Sequence, residues 1–196
     1  MTNKIITISR EFGSGGRTIG KHLADALGIP CYDSEIIEQV AVESGFAEEY
    51  IRDKGEYTQT SLLMSLLSGH TYYTGPTNED KIWSIQCKII NELADKGPCV
   101  IIGRCADYIL RERENVMKVF VFSDMKSRAE RIVSVYGEKD DSPEKRLKDK
   151  DKRRAAYYQH YTDIKWGKRS NYDICLNSGY IGLDKCVDIL KTIAEE

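Results

Sequence analysis

No two of the six cysteines, at positions 31, 87, 99, 105, 175 and 186, form a C-x-x-C pair. That absence argues against a zinc site. Cys99, Cys105 and Cys175 lie in or beside apolar runs, so reduced and mostly buried thiols are expected, with no disulfide framework. No apolar run approaches the ~20 residues that span a bilayer, and the N-terminus lacks a signal-peptide core. A cytoplasmic protein without a membrane partner is the expectation. An excess of one charge is missing too. The chain carries 29 Lys and Arg against 31 Asp and Glu, a net −2, which argues against a general nucleic-acid binder. Any basic function must therefore be local. Internal repeats and low-complexity tracts are also lacking. What is present suits one α/β domain over residues 1–196: 41% of residues are hydrophobic, an ordinary share for a globular chain.

The most informative stretch is near the start. An apolar, β-branched run, Ile5-Ile6-Thr7-Ile8, leads through Ser9-Arg10-Glu11-Phe12 to Gly13-Ser14-Gly15-Gly16-Arg17-Thr18. Ile19, Leu23, Ala26 and Leu27 then follow at helical spacing. Strand, glycine turn and helix form a phosphate cradle, because glycines leave backbone N–H groups unobstructed and the helix start adds unpaired donors. The match to the P-loop pattern is partial. Gly16 and Thr18 stand at the second glycine and the hydroxyl, Arg17 replaces the lysine, and Glu11 occupies the first glycine's place. Arginine keeps the charge and adds a planar fork. The Thr18 hydroxyl is a candidate magnesium ligand. The competing reading is a glycine-rich turn without a ligand.

Further along, Gly28-Ile29-Pro30 stops the helix and Cys31-Tyr32-Asp33 reads as a short strand ending in an acid. Ser34 is the expected N-cap of the next helix. Asp33 either faces a ligand at the carboxyl edge of a parallel sheet or caps that helix. Residues 45–80 read as a helical insertion, with Leu62, Leu63, Leu66 and Leu67 as an apolar face. Tyr57, His70, Tyr72 and Tyr73 either meet a planar ligand or pack the subdomain. A helix is predicted from about Asn78 to Lys96, ended by Gly97-Pro98, and Cys99–Ile102 is a strand covered on both faces. Arg104, just after it, either grips a phosphate or forms a salt bridge. Lys118–Phe122 is another strand, and Ser123 or Asp124 caps a helix carrying Arg128 and Arg131 one turn apart, either with one of them functional or, by default, on a solvated face. In the charged segment Glu138–Arg154, Lys148, Asp151 and Arg154 recur every three residues, as a solvent-facing helix or as a lid closing over phosphate. Tyr172–Ser178 is the last strand, followed after a turn by a helix from Leu183. Five strand candidates alternating with helices predict an α/β fold with a parallel sheet.

Together these segments resemble the cytidylate kinase-like family of P-loop proteins. The resemblance rests on Ile8–Arg17, Tyr32–Ile37, Gly103–Asp107, Asp151–Tyr158 and Tyr172–Ser178, and covers nearly the whole chain in order. It implies a three-layer P-loop fold with a five-stranded parallel sheet, a monophosphate-binding helical insert at 34–95 and a lid at 138–170. It implies transfer of the ATP γ-phosphoryl group to a nucleoside monophosphate, with Mg2+. By the same resemblance Gly13, Ser14, Gly15, Gly16, Arg17 and Thr18 hold the donor phosphates, Asp33, Arg104 and Asp173 serve the acceptor, and Lys148, Asp151 and Arg154 match the family's lid pattern, with lysine in place of its first arginine. The departures are Gln39 where an arginine is expected, Cys105 where an acid follows the Arg104-type arginine, and the altered loop. They leave open a nucleotide-binding sensor that transfers little. The insert serves equally as an acceptor pocket or a homodimer interface.

Overall fold

The structure is a computed structural model and describes residues 4–48, 51, 77–135, 137 and 142–196. Its central strand, β1 (Ile5–Arg10), is buried on both faces, and its side chains alternate between two apolar clusters. Ile6 and Ile8 point into one, Ile5 into the other. The same alternation divides β3 (Cys99–Ile102): Val100 and Ile102 face the first cluster, Cys99 and Ile101 the second. Each fully buried isoleucine contributes about 1.5–3 kcal/mol of transfer free energy.

Helix α1 (Gly16–Leu27) lies on the first face, packed by Ile19, Leu23 and Ala24, and ends at Gly28 with the left-handed backbone a glycine stop requires. The second face is covered by α2 (Ser34–Ser44) and α3 (Asn78–Asp95). Thr77 and Asp80 form a reciprocal capping box at the start of α3. Between α1 and α2 runs the two-residue strand β2 (Cys31–Tyr32). Beyond β3 come α4 (Ala106–Ile109), β4 (Val116–Phe122) and α5 (Met125–Ser134), whose N-cap Asp124 accepts from the Ser127 N–H. A long helix, α6 (Pro143–Thr162), then precedes a 3-10 turn (Arg169–Asn171), β5 (Ile174–Asn177), α7 (Ser178–Ile181) and α8 (Leu183–Glu195).

All strand pairings are parallel and the order is β2-β3-β1-β4-β5. Helices cover both faces, so the expected three-layer α/β fold is present. The carboxyl ends of β1, β2 and β3 meet on one edge, where the strand order switches and ligands bind in open α/β sheets.

Several local expectations need correction. Ser34 is the first residue of α2 and Asp33 its N-cap, but the Asp33 carboxylate makes no capping bond. The turn foreseen around Gly179 is instead the short helix α7. Among the cysteines, all free, Cys99, Cys105 and Cys186 are buried, but Cys175 is exposed, because β5 is an edge strand. Leu62, Leu63, Leu66, Leu67, Tyr57, His70, Tyr72 and Tyr73 lie outside the described residues, as does most of the 45–80 insertion. No helix among the described residues is long and apolar enough to cross a membrane.

Candidate active site

The glycine loop takes its shape from two left-handed glycines, Gly13 (φ 77°) and Gly15 (φ 81°). A Cβ at Gly15 would lie 2.6 Å from Leu183 Cδ2 and 3.0 Å from Arg131 Nη1. Neither position accepts a side chain without strain. The loop is braced from below: the Ser178 hydroxyl donates to the Ser14 carbonyl at 2.5 Å, and the Ser14 hydroxyl donates to the Glu11 carbonyl at 2.9 Å. The first helical bond of α1 runs from the Ile19 N–H to the Gly15 carbonyl. The N–H groups of Gly16, Arg17 and Thr18 therefore have no acceptor within the helix and project from its positive end.

Behind the loop is a buried ion network. Arg128 is only 4% exposed. Its Nε donates to the Phe12 carbonyl at 2.7 Å, Nη1 pairs with Glu11 Oε2 at 3.1 Å, and Nη2 pairs with the Asp151 carboxylate. Asp151 also accepts from the Phe12 N–H at 2.8 Å, and Glu11 from the Ser123 N–H at 3.2 Å. Burial pushes the Glu11 carboxyl above its usual pKa, an effect that Arg128 and the Ser123 N–H oppose. Arg128 is thus a buried anchor and not the solvated residue its spacing suggested. Glu11, in the place of the motif's first glycine, is its partner.

In front of the loop the carboxyl edge of the sheet forms a cleft of about 440 Å³, open mouth included. Arg10, Arg104 and Arg154 line it, with Tyr157, Tyr158 and Trp166 as aromatic walls. Arg104 follows β3 in an unusual backbone: Gly103, Arg104 and Cys105 are all left-handed, at φ 74°, 56° and 55°. Left-handed backbone at non-glycine residues is sterically disfavoured and gathers at functional sites. Buried Gln86 donates to the Arg104 carbonyl at 3.1 Å and to the Tyr157 hydroxyl at 3.3 Å, fixing both. Arg104 Nη1 is buried without a hydrogen-bond partner among the described residues, a donor suited to an anion. Cys105 is buried, which pushes its thiol well above the usual pKa and keeps it protonated, so it is no nucleophile.

Beneath the cleft sits Asp107, 3% exposed, accepting from the Ser9 hydroxyl at 3.2 Å and the Tyr158 hydroxyl at 2.7 Å. Burial raises its carboxyl pKa more than these bonds and Lys118 lower it. A folded-state pKa above the unfolded one favours folding most at acid pH, and that contribution fades as pH rises through the folded value. Relative to Asp107→Asn, the wild-type chain is thus expected to lose melting temperature between pH 4 and pH 7. Parallel melting curves across that range would refute this reading.

The predicted site residues fall into two groups. Gly13, Ser14, Gly15, Gly16, Thr18, Arg17, Asp33, Arg104 and Arg154 gather on the carboxyl edge. Arg17, half exposed, pairs with the Asp33 carboxylate, which also lies 4.0 Å from Arg10 Nη2. Asp33 thus serves ion pairing instead of capping. Asp151 sits behind the loop on Arg128, while Lys148 is exposed on α6. Asp173 lies at the amino end of β5, where its Oδ2 accepts from the Lys118 N–H at 2.7 Å, away from the cleft. Arg10 and Gln86 were not foreseen, and Arg128 was read by default as solvated. For Arg10 the signal was available: like Arg104, it ends a buried strand on the ligand edge.

Known proteins resemble this chain over nearly its whole length. The chain is 26% identical over 196 residues to a cytidylate kinase from Archaeoglobus fulgidus, covering 97% of this chain and 94% of the relative. It is 24% identical over 186 residues to one from Pyrobaculum calidifontis, covering 94% and 89%. Among solved structures, an uncharacterized protein from Eubacterium ventriosum superposes with a TM-score of 0.73 at 27% identity, covering 98% of this chain and 99% of the other. Two kinases share the fold at 17% identity: a gluconokinase from Sinorhizobium meliloti (TM-score 0.59, covering 99% and 95%) and a shikimate kinase from Acinetobacter baumannii (0.56, covering 100% and 94%). The model of the cytidylate kinase-like family matches residues 5–180. With that match over the glycine loop, the cleft and the sheet that joins them, the chain belongs to the cytidylate kinase-like family.

Proposed function

We propose that this chain transfers the γ-phosphoryl group of ATP to a nucleoside monophosphate. The observation that carries the reading is the meeting of two anion sites on one sheet edge: the free N–H groups opening α1, and the cleft lined by Arg10, Arg104 and Arg154. One cradles the donor phosphates and the other the acceptor phosphate. Phosphoryl transfer needs little else from a protein than positioning and charge neutralisation.

The chain's own residues divide the work. Gly13 to Thr18 hold donor phosphates through backbone N–H groups. Arg104 and Arg154 hold the acceptor phosphate, and the aromatic walls accommodate its base. Arg17 leaves Asp33 for the donor phosphates as Asp33 engages the acceptor. The donor set fits magnesium, which prefers one or two protein oxygens with phosphate and water completing its shell. The Thr18 hydroxyl would be the protein oxygen holding the ion, which would supply charge neutralisation on the phosphates. The stretch at 138–170 acts as the lid, and within it Arg154 Nη1 donates to the Arg10 carbonyl at 3.0 Å. The insert at 34–95 shapes the acceptor pocket.

The test is acceptor-dependent ADP release from Mg-ATP across a panel of nucleoside monophosphates, with CMP, dCMP and UMP included. Turnover with one acceptor supports the kinase and names its substrate. One observation favours a second reading, a nucleotide sensor: the cation at the motif's lysine position is already engaged by Asp33. Thermal stabilisation by ATP without turnover on any acceptor would select that reading.

A further inference from the structure

We infer that Arg10 is a catalytic residue, the cation that spans donor loop and acceptor cleft and contacts the phosphoryl group in transit. The inference rests on the phosphotransferase reading above and adds a residue that the loop motif does not contain. Arg10 ends β1, and the strand's pleat sends its side chain and that of Glu11 to opposite sides. Glu11 turns back to Arg128, whereas Arg10 turns into the cleft.

Its stem runs along the beginning of α1, so closely that a Cβ at Gly16 would lie 2.6 Å from Arg10 Cβ. Its guanidinium lies over Gly103, where a Cβ would sit 1.9 Å from Nη1. Two glycines, one opening α1 and one following β3, thus clear the path of this one side chain. Nη2 reaches to 4.0 Å from Asp33, and only 16% of the side chain is exposed. Arg17 is the outer cation of the pair, with 54% of its side chain exposed.

A phosphoryl group passing in line spreads negative charge over its equatorial oxygens. A shielded guanidinium between the two phosphate sites offers paired donors to that charge, and shielding strengthens the attraction. Arg104 and Arg154 flank the acceptor side of the same space.

The test compares full-length wild type with Arg10→Ala, Arg10→Lys and Arg17→Ala. It uses Mg-ATP with whichever panel acceptor wild type accepts, and thermal shift with inorganic phosphate as a probe of the cleft. Arg10→Ala is expected to lower kcat by about 100- to 1000-fold, the usual loss for one preorganised transition-state contact. Its KM for ATP should stay within about threefold, since backbone groups carry donor binding. Arg17→Ala is expected to act mainly on the KM for ATP. Arg10→Lys should recover part of kcat, and it carries the comparison if the alanine variant does not fold. A kcat within about threefold of wild type in Arg10→Ala overturns the proposal. If wild type transfers to no acceptor, the phosphotransferase reading fails and the phosphate shift decides for Arg10. Loss of that shift in Arg10→Ala but not in Arg17→Ala keeps Arg10 as the central anion contact. An undiminished shift, or none in wild type, overturns it.

Discussion

Arg128→Ala is expected to lower the melting temperature by roughly 6–20 °C. Removing one partner of a buried ion pair costs about 3–5 kcal/mol, because the remaining charge stays buried and uncompensated. In a chain of this length each kcal/mol moves the midpoint by about 2–4 °C. Here one guanidinium serves two carboxylates and a carbonyl, so its loss strands Glu11, Asp151 and the Phe12 oxygen together. The triple variant Arg128→Leu, Glu11→Gln, Asp151→Asn is expected to regain much of the loss, since a neutral set leaves no stranded charge. A shift below about 2 °C in Arg128→Ala thermal melts would show that the network contributes little. Function should suffer as well, because Phe12 is held on both sides, its N–H by Asp151 and its carbonyl by Arg128. That grip sets the angle at which the chain enters the glycine loop.

Gly103→Ala is expected to reduce kcat/KM by more than about 100-fold while destabilising the fold by only about 1–2 kcal/mol. The small stability loss comes from placing a Cβ on left-handed backbone at φ 74°. The large kinetic loss comes from geometry, because the new methyl would occupy the place of Arg10 Nη1. The guanidinium must swing away, although Gly103 itself touches no substrate group through a side chain. Steady-state kinetics beside a melting curve separate the two effects. The combined variant Arg10→Ala, Gly103→Ala should be no slower than Arg10→Ala alone, since the methyl then has nothing to displace. Activity within about threefold of wild type in Gly103→Ala would show that Arg10 has another productive position.

The fold and the loop were legible because their signals are local. Glycine spacing, β-branched runs and helical periodicity each act within a few residues, and they placed β1, α1, β3, β4 and α8 within a few residues of their true bounds. Arg104 and Asp33 were legible as strand-end residues, although sequence left their partners open. Arg128 was misread because its partners are remote: Glu11 is 117 positions away and Asp151 is 23. No periodicity encodes such a contact. Lys148, Asp151 and Arg154 share one side of a helix, as their spacing implies. Yet that side is wide enough to leave Lys148 in solvent, turn Asp151 behind the loop and bring Arg154 to the cleft. Asp173 was drawn to the site by resemblance. Because β5 is parallel to its neighbour β4, an acid at its amino end lies on the far side of the sheet from the ligand edge.

The strand order β2-β3-β1-β4-β5 has a consequence for how the chain is made. The central strand leaves the ribosome before the other four strands of its sheet, yet both its neighbours come much later, at Cys99–Ile102 and Val116–Phe122. At about 5–20 residues per second, β1 waits roughly 6–20 s before β4 is complete. During that interval Ile5-Ile6-Thr7-Ile8 has two unsatisfied edges and, of its apolar cover, only α1 on one face. The nascent chain is then most exposed to strand-pairing with other copies and most in need of a chaperone. Sheet assembly is a late, near-simultaneous closure of distant segments, so truncated translation products ending before β4 should be caught by quality control and not persist as partly folded domains.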